Sequence, residues 1–229
     1  MRMVHDILRL IFPDLCCHCG EPLVGDERNI CTLCLSKITW THNAAHSEND
    51  TEIRLTGRIP VVAAASLLEF HKGNVAQSII HQIKYHGNTQ LAHQFGTILG
   101  EELKASRRFD DIDIVAPVPL FWWRHLRRGY NQSQLLAAEV AKTLQCQLST
   151  NNLYRRRHTP SQTHRNRQQR IDNMVSAFSV RSPKQLEGKH LLLIDDVLTT
   201  GATTESCYHA LQSIPDLRIS VATLAITVS

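Results

Sequence analysis

Two sets of residues carry the chemistry legible in this chain. The first is a pair of adjacent carboxylates, Asp195 and Asp196, followed by a loop of hydroxyls and one glycine: Thr199, Thr200, Gly201, Ala202 and Thr203. An apolar run over 191–194 leads into the pair, and a helical pattern follows the loop. This order sets the carboxylates at the end of a buried strand, where open α/β sheets bind their ligands. Backbone N–H groups at a helix N-terminus receive a phosphate, and glycine lets that backbone come close. Two neighbouring carboxylates suit the vicinal hydroxyls of a sugar. The motif therefore fits a ribose bearing a 5′-phosphate. The glycine patterns of a P-loop and of a dinucleotide fold are both missing. A receiver domain would carry its acidic pair near its start, whereas here only a helix and a strand follow. A capped helix after a strand, with solvated aspartates, is the plain alternative.

The second set is Cys16, Cys19, Cys31 and Cys34, two Cys-x-x-Cys pairs separated by eleven residues. Each pair can set two thiolates on one tight turn, and two such turns complete a tetrahedral all-sulfur zinc site. Four cysteines that are simply buried or redox-active are the alternative. Cys17 and His18 offer other ligands, but the regular spacing favours Cys16 and Cys19. Four protein ligands leave no open position, so the metal is expected to be structural.

The elements that must position these groups follow from the pattern of apolar residues. Residues 61–70 and 112–116 read as strands, the second stopped by Pro117 and Pro119. Val75, Ile79, Ile80 and Ile83 recur at helical spacing, as do Leu91, Phe95, Ile98 and Leu99. Residues 131–144 read as a helix capped by Asn131 or Ser133, 191–194 as a buried strand, 203–214 as a helix and 220–228 as a last strand. Alternating strands and helices make this an α/β domain. Residues 13–40 are rich in cysteine and poor in large apolar residues, and 43–58 are polar and aperiodic, which suggests a linker or exposed loop. The expected division is 1–45 for the cysteine module and 59–229 for the α/β domain.

With 229 residues and a formal net charge of +4, bulk charge argues little for a nucleic-acid partner. Its distribution says more. Arg155, Arg156, Arg157, Arg165, Arg167 and Arg170 fall within seventeen residues that hold no acidic side chain. Residues 7–12 are apolar but too short to span a bilayer and lack a cleavage site. No membrane insertion and a cytoplasmic location are expected. Seven cysteines in a reducing compartment then point to metal ligation or burial, not disulfides.

Taken together, 191–203 closely resemble the phosphoribosyl pyrophosphate (PRPP) loop of type I phosphoribosyltransferases. Other landmarks resemble the ComF/GntX competence-protein family: Ile83-Lys84-Tyr85-His86-Gly87; Val115-Ala116-Pro117-Val118-Pro119-Leu120; and Arg127-Arg128-Gly129-Tyr130-Asn131-Gln132. Arg157, Thr159 and Gln162, with Arg170, Asn173 and Phe178 beyond them, complete the likeness. It spans nearly the whole chain. It departs at Arg165, where the family usually carries an aliphatic residue.

The resemblance implies a type I phosphoribosyltransferase fold, a mostly parallel sheet flanked by helices, behind a small zinc module. It implies PRPP as ligand with Mg2+, an unidentified acceptor, and a link to the uptake of transforming DNA. Asp195 and Asp196 would hold the ribose hydroxyls, and 199–203 the 5′-phosphate. The 115–120 turn, with Val118 and Pro119, would present backbone N–H groups to the diphosphate, its prolines open to cis bonds. Arg128 and Lys84 would add countercharge. The stretch 155–170 would be the mobile loop that closes over the site, with Arg167 and Arg170 neutralising the leaving pyrophosphate. Two other readings compete: a PRPP-binding competence factor without transfer activity that binds single-stranded DNA, and a regulator with a nucleotide in the same site. The arginine stretch lacks interleaved aromatics for base stacking.

Overall fold

A computed structural model describes residues 13–120, 129–156 and 177–228. Arg127, Arg128, Arg157, Thr159, Gln162, Arg165, Arg167, Arg170 and Asn173 lie outside the described residues.

Five strands form one parallel sheet in the order β1-β7-β6-β2-β3. They are β1 (Ala64–Phe70), β2 (Ile114–Pro117), β3 (Gln147–Leu148), β6 (His190–Leu198) and β7 (Arg218–Thr227). A separate antiparallel ribbon joins β4 (Leu153–Arg155) to β5 (Phe178–Val180). The described helices are α1 (Thr32–Leu35), α2 (Asp50–Leu55), α3 (Val75–Tyr85), α4 (Thr89–Ser106), α5 (Gln132–Leu144) and α6 (Ala202–Leu211).

The apolar run of β6 shows why the sheet is buried on both faces. Leu192 and Ile194 join a core with residues of α3, α4 and α5, while Leu191 and Leu193 join a second core with α6 and the β4–β5 ribbon. A strand covered on both sides has no polar face to alternate with. The strand also runs on past Ile194, through Asp195 and Asp196 to Leu198. Asp195, Val197 and Leu198 pair with Thr223, Ala225 and Ile226 of β7, so ladder pairing overrides the poor strand propensity of aspartate.

The cysteine segment has no core of its own. Cys16, Ile30, Cys31, Cys34 and Ile38 are buried in the same cluster as Ile79, Leu91 and Phe95. His18 bonds the Ser78 hydroxyl at 2.9 Å, and the Asn88 amide donates to Asn29 at 2.8 Å.

Residues 43–58 differ from the expected linker or exposed loop. The chain first runs antiparallel along the edge of β1, where Thr41 N donates to Leu67 O and Glu69 N to Thr39 O. Asn43, Asn49 and Thr51 are then buried in a hydrogen-bonded knot: Asn49 donates to the carbonyls of Asn43, His46 and Ala64, and Thr51 to Ser66 Oγ. Asn49 also caps α2. A core of satisfied asparagines and threonines leaves no hydrophobic period to read.

Among the described residues no helix is long and apolar enough to cross a membrane, and no peptide bond is cis, Pro117 and Pro119 included.

Candidate functional site

Parallel pairing of β2 with β6 brings their carboxyl ends side by side, with Pro117 opposite Ile194. The turn after β2 and the acidic pair on β6 thereby share one end of the sheet. Lys84 reaches it from the last turn of α3, its Nζ 2.9 Å from Asp196 Oδ1. Ser133, in the first turn of α5, donates its hydroxyl to Asp195 Oδ1 at 3.1 Å, and Asp196 N donates to the same oxygen at 2.8 Å. Burial, and then the neighbouring Asp196 charge, push the Asp195 carboxyl up to about 7; the Asp196 N–H, Lys84 and Ser133 pull the other way.

Asn131 caps α5, as its type predicts, accepting from Ser133 N at 3.2 Å. Its amide also donates to Val118 O at 3.1 Å. Val118 N donates to Ile194 O at 2.8 Å. Since Pro117 and Pro119 have no N–H, the turn offers no free backbone donor at 117, 118 or 119 in this conformation. That differs from the expected row of donors. Pro119 itself is half-buried beside the turn.

The hydroxyl loop opens α6 as expected. Gly201 occupies the N-cap position with φ of 82° and has no side chain to cap the helix. Thr199, Thr200 and Thr203 are exposed, and Ala202 N points to Thr200 Oγ1 at 3.4 Å. First-turn N–H groups without a side-chain acceptor are the donors an anion would take. A Cβ at Gly201 would lie 3.2 Å from Leu55 Cδ2, so the loop is backed closely by α2.

At the other end of the chain, Cys16, Cys19, Cys31 and Cys34 bring their sulfurs within 4.8 Å of one another. Cys19 and Cys31 sulfurs are 3.8 Å apart, matching the roughly 3.8 Å edge of a tetrahedron with 2.3 Å metal–sulfur bonds. Burial pushes the Cys34 thiol up, which a cation would reverse by binding the thiolate. The donor set fits one closed metal site.

Of the basic stretch, Arg155 and Arg156 belong to the described fold and not to a loop. Arg155 ends β4 with its guanidinium 4.9 Å from the centre of the Phe178 ring, and Arg156 bonds Ser179 Oγ with its side chain and Ala177 O with its N–H. Sequence reasoning missed three contributors near the site. Ser133 reads from the sequence only as a cap, and Arg54 and Arg58 carry no signal in a polar stretch.

A family model described as phosphoribosyl transferase domain matches residues 131–226. The DNA utilization protein YhgH of Escherichia coli K12 is 31% identical over 206 residues, covering 85% of this chain and 88% of its own length. Competence protein F of Haemophilus influenzae is 28% identical over 151 residues, covering 64% of this chain and 66% of its own. Among solved structures, a glutamine PRPP amidotransferase from B. subtilis complexed with ADP and GMP aligns at a TM-score of 0.45 with 14% identity, over 63% of this chain and 30% of that one.

Proposed function

The chain belongs to the family of DNA utilization protein YhgH and the ComF competence proteins, and from that premise we propose that it binds PRPP and transfers the phosphoribosyl group to an acceptor. The bond from ribose C1 to the diphosphate breaks, its electron pair leaves on pyrophosphate, and the acceptor's lone pair forms the new bond to C1.

Asp195 and Asp196 receive the ribose hydroxyls in this reading, while Thr199 to Thr203 hold the 5′-phosphate. Val118, Pro119, Arg128 and Lys84 flank the diphosphate, and Arg167 and Arg170 neutralise it as it leaves. Mg2+, a hard cation that takes oxygen ligands, would offset the diphosphate charge when bound. Asp195 and Asp196 are the carboxylates at hand for it. Zinc on Cys16, Cys19, Cys31 and Cys34 serves structure, with the zinc module at 1–45 and the transferase domain at 59–229. The proposal includes a cytoplasmic setting, where thiols stay reduced and free to bind metal.

One observation carries the reading: a carboxylate pair held between Lys84 and Ser133, beside a helix whose N-cap is a glycine with no side chain to cap it. Pyrophosphate release from PRPP in a pool of bases and amines tests it. Release that depends on Asp195 supports transfer; none with any acceptor, despite PRPP binding, removes it.

The relatives' names speak of DNA utilization and competence, and on that ground we propose a second reading, a PRPP-binding protein that handles single-stranded DNA without transfer. In the first reading Arg167→Ala or Arg170→Ala slows turnover more than it weakens PRPP binding, because the contact forms mainly in the transition state. In the second, the same changes leave PRPP affinity intact and flatten the salt dependence of strand binding by roughly 0.7 per lost phosphate contact.

A further inference from the structure

We infer that Arg54 and Arg58 are positioning residues of the phosphate loop, supplied by the polar segment that follows the cysteine module. This rests on the proposed 5′-phosphate site. Three nearby side chains of one short stretch meet three successive parts of the loop. Arg54 donates from Nη1 to Thr199 O at 2.6 Å, where the loop leaves β6. Leu55, fully buried, fills the space in which Gly201 would carry a Cβ. Arg58 Nη1 sits 2.8 Å from Glu205 in the first turn of α6.

Arg54 also ties the loop to the sheet. Its Nη1 reaches Thr227 Oγ1 at 3.2 Å and its Nη2 donates to Thr227 O at 2.9 Å, so one guanidinium joins the carboxyl end of β7 to the start of the loop. The planar fork of arginine serves two carbonyls in a fixed geometry, which the compact, rotating ammonium of lysine does not reproduce. The segment itself is fixed by the buried Asn43–Asn49–Thr51 knot against β1. The loop is therefore backed on one side by a packed, hydrogen-bonded support.

Arg58 answers an electrostatic problem. An acid in the first turn stabilises a bare helix but repels an anion arriving at the same N-terminus. Glu205 is such an acid, and Arg58 neutralises it. The two arginines thus prepare the loop for a phosphate in different ways, one by shape and one by charge.

The two halves of PRPP separate this role from general destabilisation. Full-length protein is titrated with ribose 5-phosphate and, separately, with pyrophosphate in the presence of Mg2+. Arg54→Met is expected to weaken ribose 5-phosphate about ten-fold, the scale of one charge-assisted hydrogen bond, and to leave pyrophosphate affinity unchanged. Arg58→Met weakens the same ligand, and Arg58→Met/Glu205→Gln restores it, because the repelling charge is gone. Equal loss for both ligands, or no rescue by Glu205→Gln, overturns the inference while leaving the PRPP site in place. Wild-type protein that binds neither ligand overturns both.

Discussion

Lys84 and Asp196 join helix α3 to strand β6 across the mouth of the site, nitrogen to oxygen at 2.9 Å, with both side chains largely shielded from solvent. The ammonium stands as counterion to the pair, in which burial drives the Asp195 carboxyl towards neutrality. Lys84→Met therefore raises the pH at which Asp195 ionises and weakens PRPP about ten-fold at pH 7, the scale of one lost contact to a charged group. Calorimetry between pH 6 and 9 checks this. An affinity and pH profile matching wild type would make Lys84 a bystander.

Asp195 also links the site to stability. Its folded pKa, about 7, lies above the ordinary carboxylate value, so folding favours the protonated form. That contribution is complete below about 4 and is lost as pH rises towards 7. Asp195→Asn accordingly raises Tm at pH 8, by about 2–4 °C for each 1 kcal/mol relieved, and by much less at pH 4.5. The same variant binds PRPP poorly. A Tm gain independent of pH would contradict the assignment.

Cys19→Ser is expected to lower bound zinc from about one per chain to none, since a closed four-sulfur site tolerates no missing ligand. Because Ile30 and Ile38 pack in the same core as Ile79 and Leu91, metal loss also lowers the Tm of the whole chain. Elemental analysis and a melt suffice. Full zinc content in the variant excludes this ligand set.

His190 is fully buried between Ser220 and Asp111, each 2.9 Å from a ring nitrogen. The order suggests a hydrolytic triad, but Ser220 is inaccessible and also accepts from Ala63 N. The group acts on stability. Burial holds the imidazole below its usual pKa, and Arg218 holds Asp111 below the carboxylate range. Both bind fewer protons folded than unfolded, so stability falls as pH drops, first below about 6.5 and then below about 4. His190→Gln should flatten the change in urea midpoint between pH 7 and pH 5. An unchanged slope would remove His190 as its source.

The strong signals in the sequence were those with a short physical explanation. Leu191 to Ile194 reads as a doubly covered strand because every residue is apolar, and the cysteine pairs read as a metal site because spacing fixes geometry. Three features escaped for equally physical reasons. Asn43, Asn49 and Thr51 build a core from hydrogen bonds, which hydropathy does not register. Arg155 is a strand residue packed on Phe178, in a stretch where the family resemblance implied a loop. Arg54 acts on Thr199 from 145 positions away, a separation no local pattern encodes.

Asp195, Asp196 and the loop at Gly201 form the proposed PRPP site. Calorimetry with PRPP and Mg2+ on the full-length chain tests it most directly, beside Asp195→Asn/Asp196→Asn and Gly201→Val. Gly201 takes a φ of 82° and has Leu55 3.2 Å from where a Cβ would stand, so valine there must distort the loop. Saturable binding by wild type, lost in both variants while their melts stay cooperative, is the predicted result. No binding by wild type, or wild-type affinity in the double aspartate variant, would contradict the account.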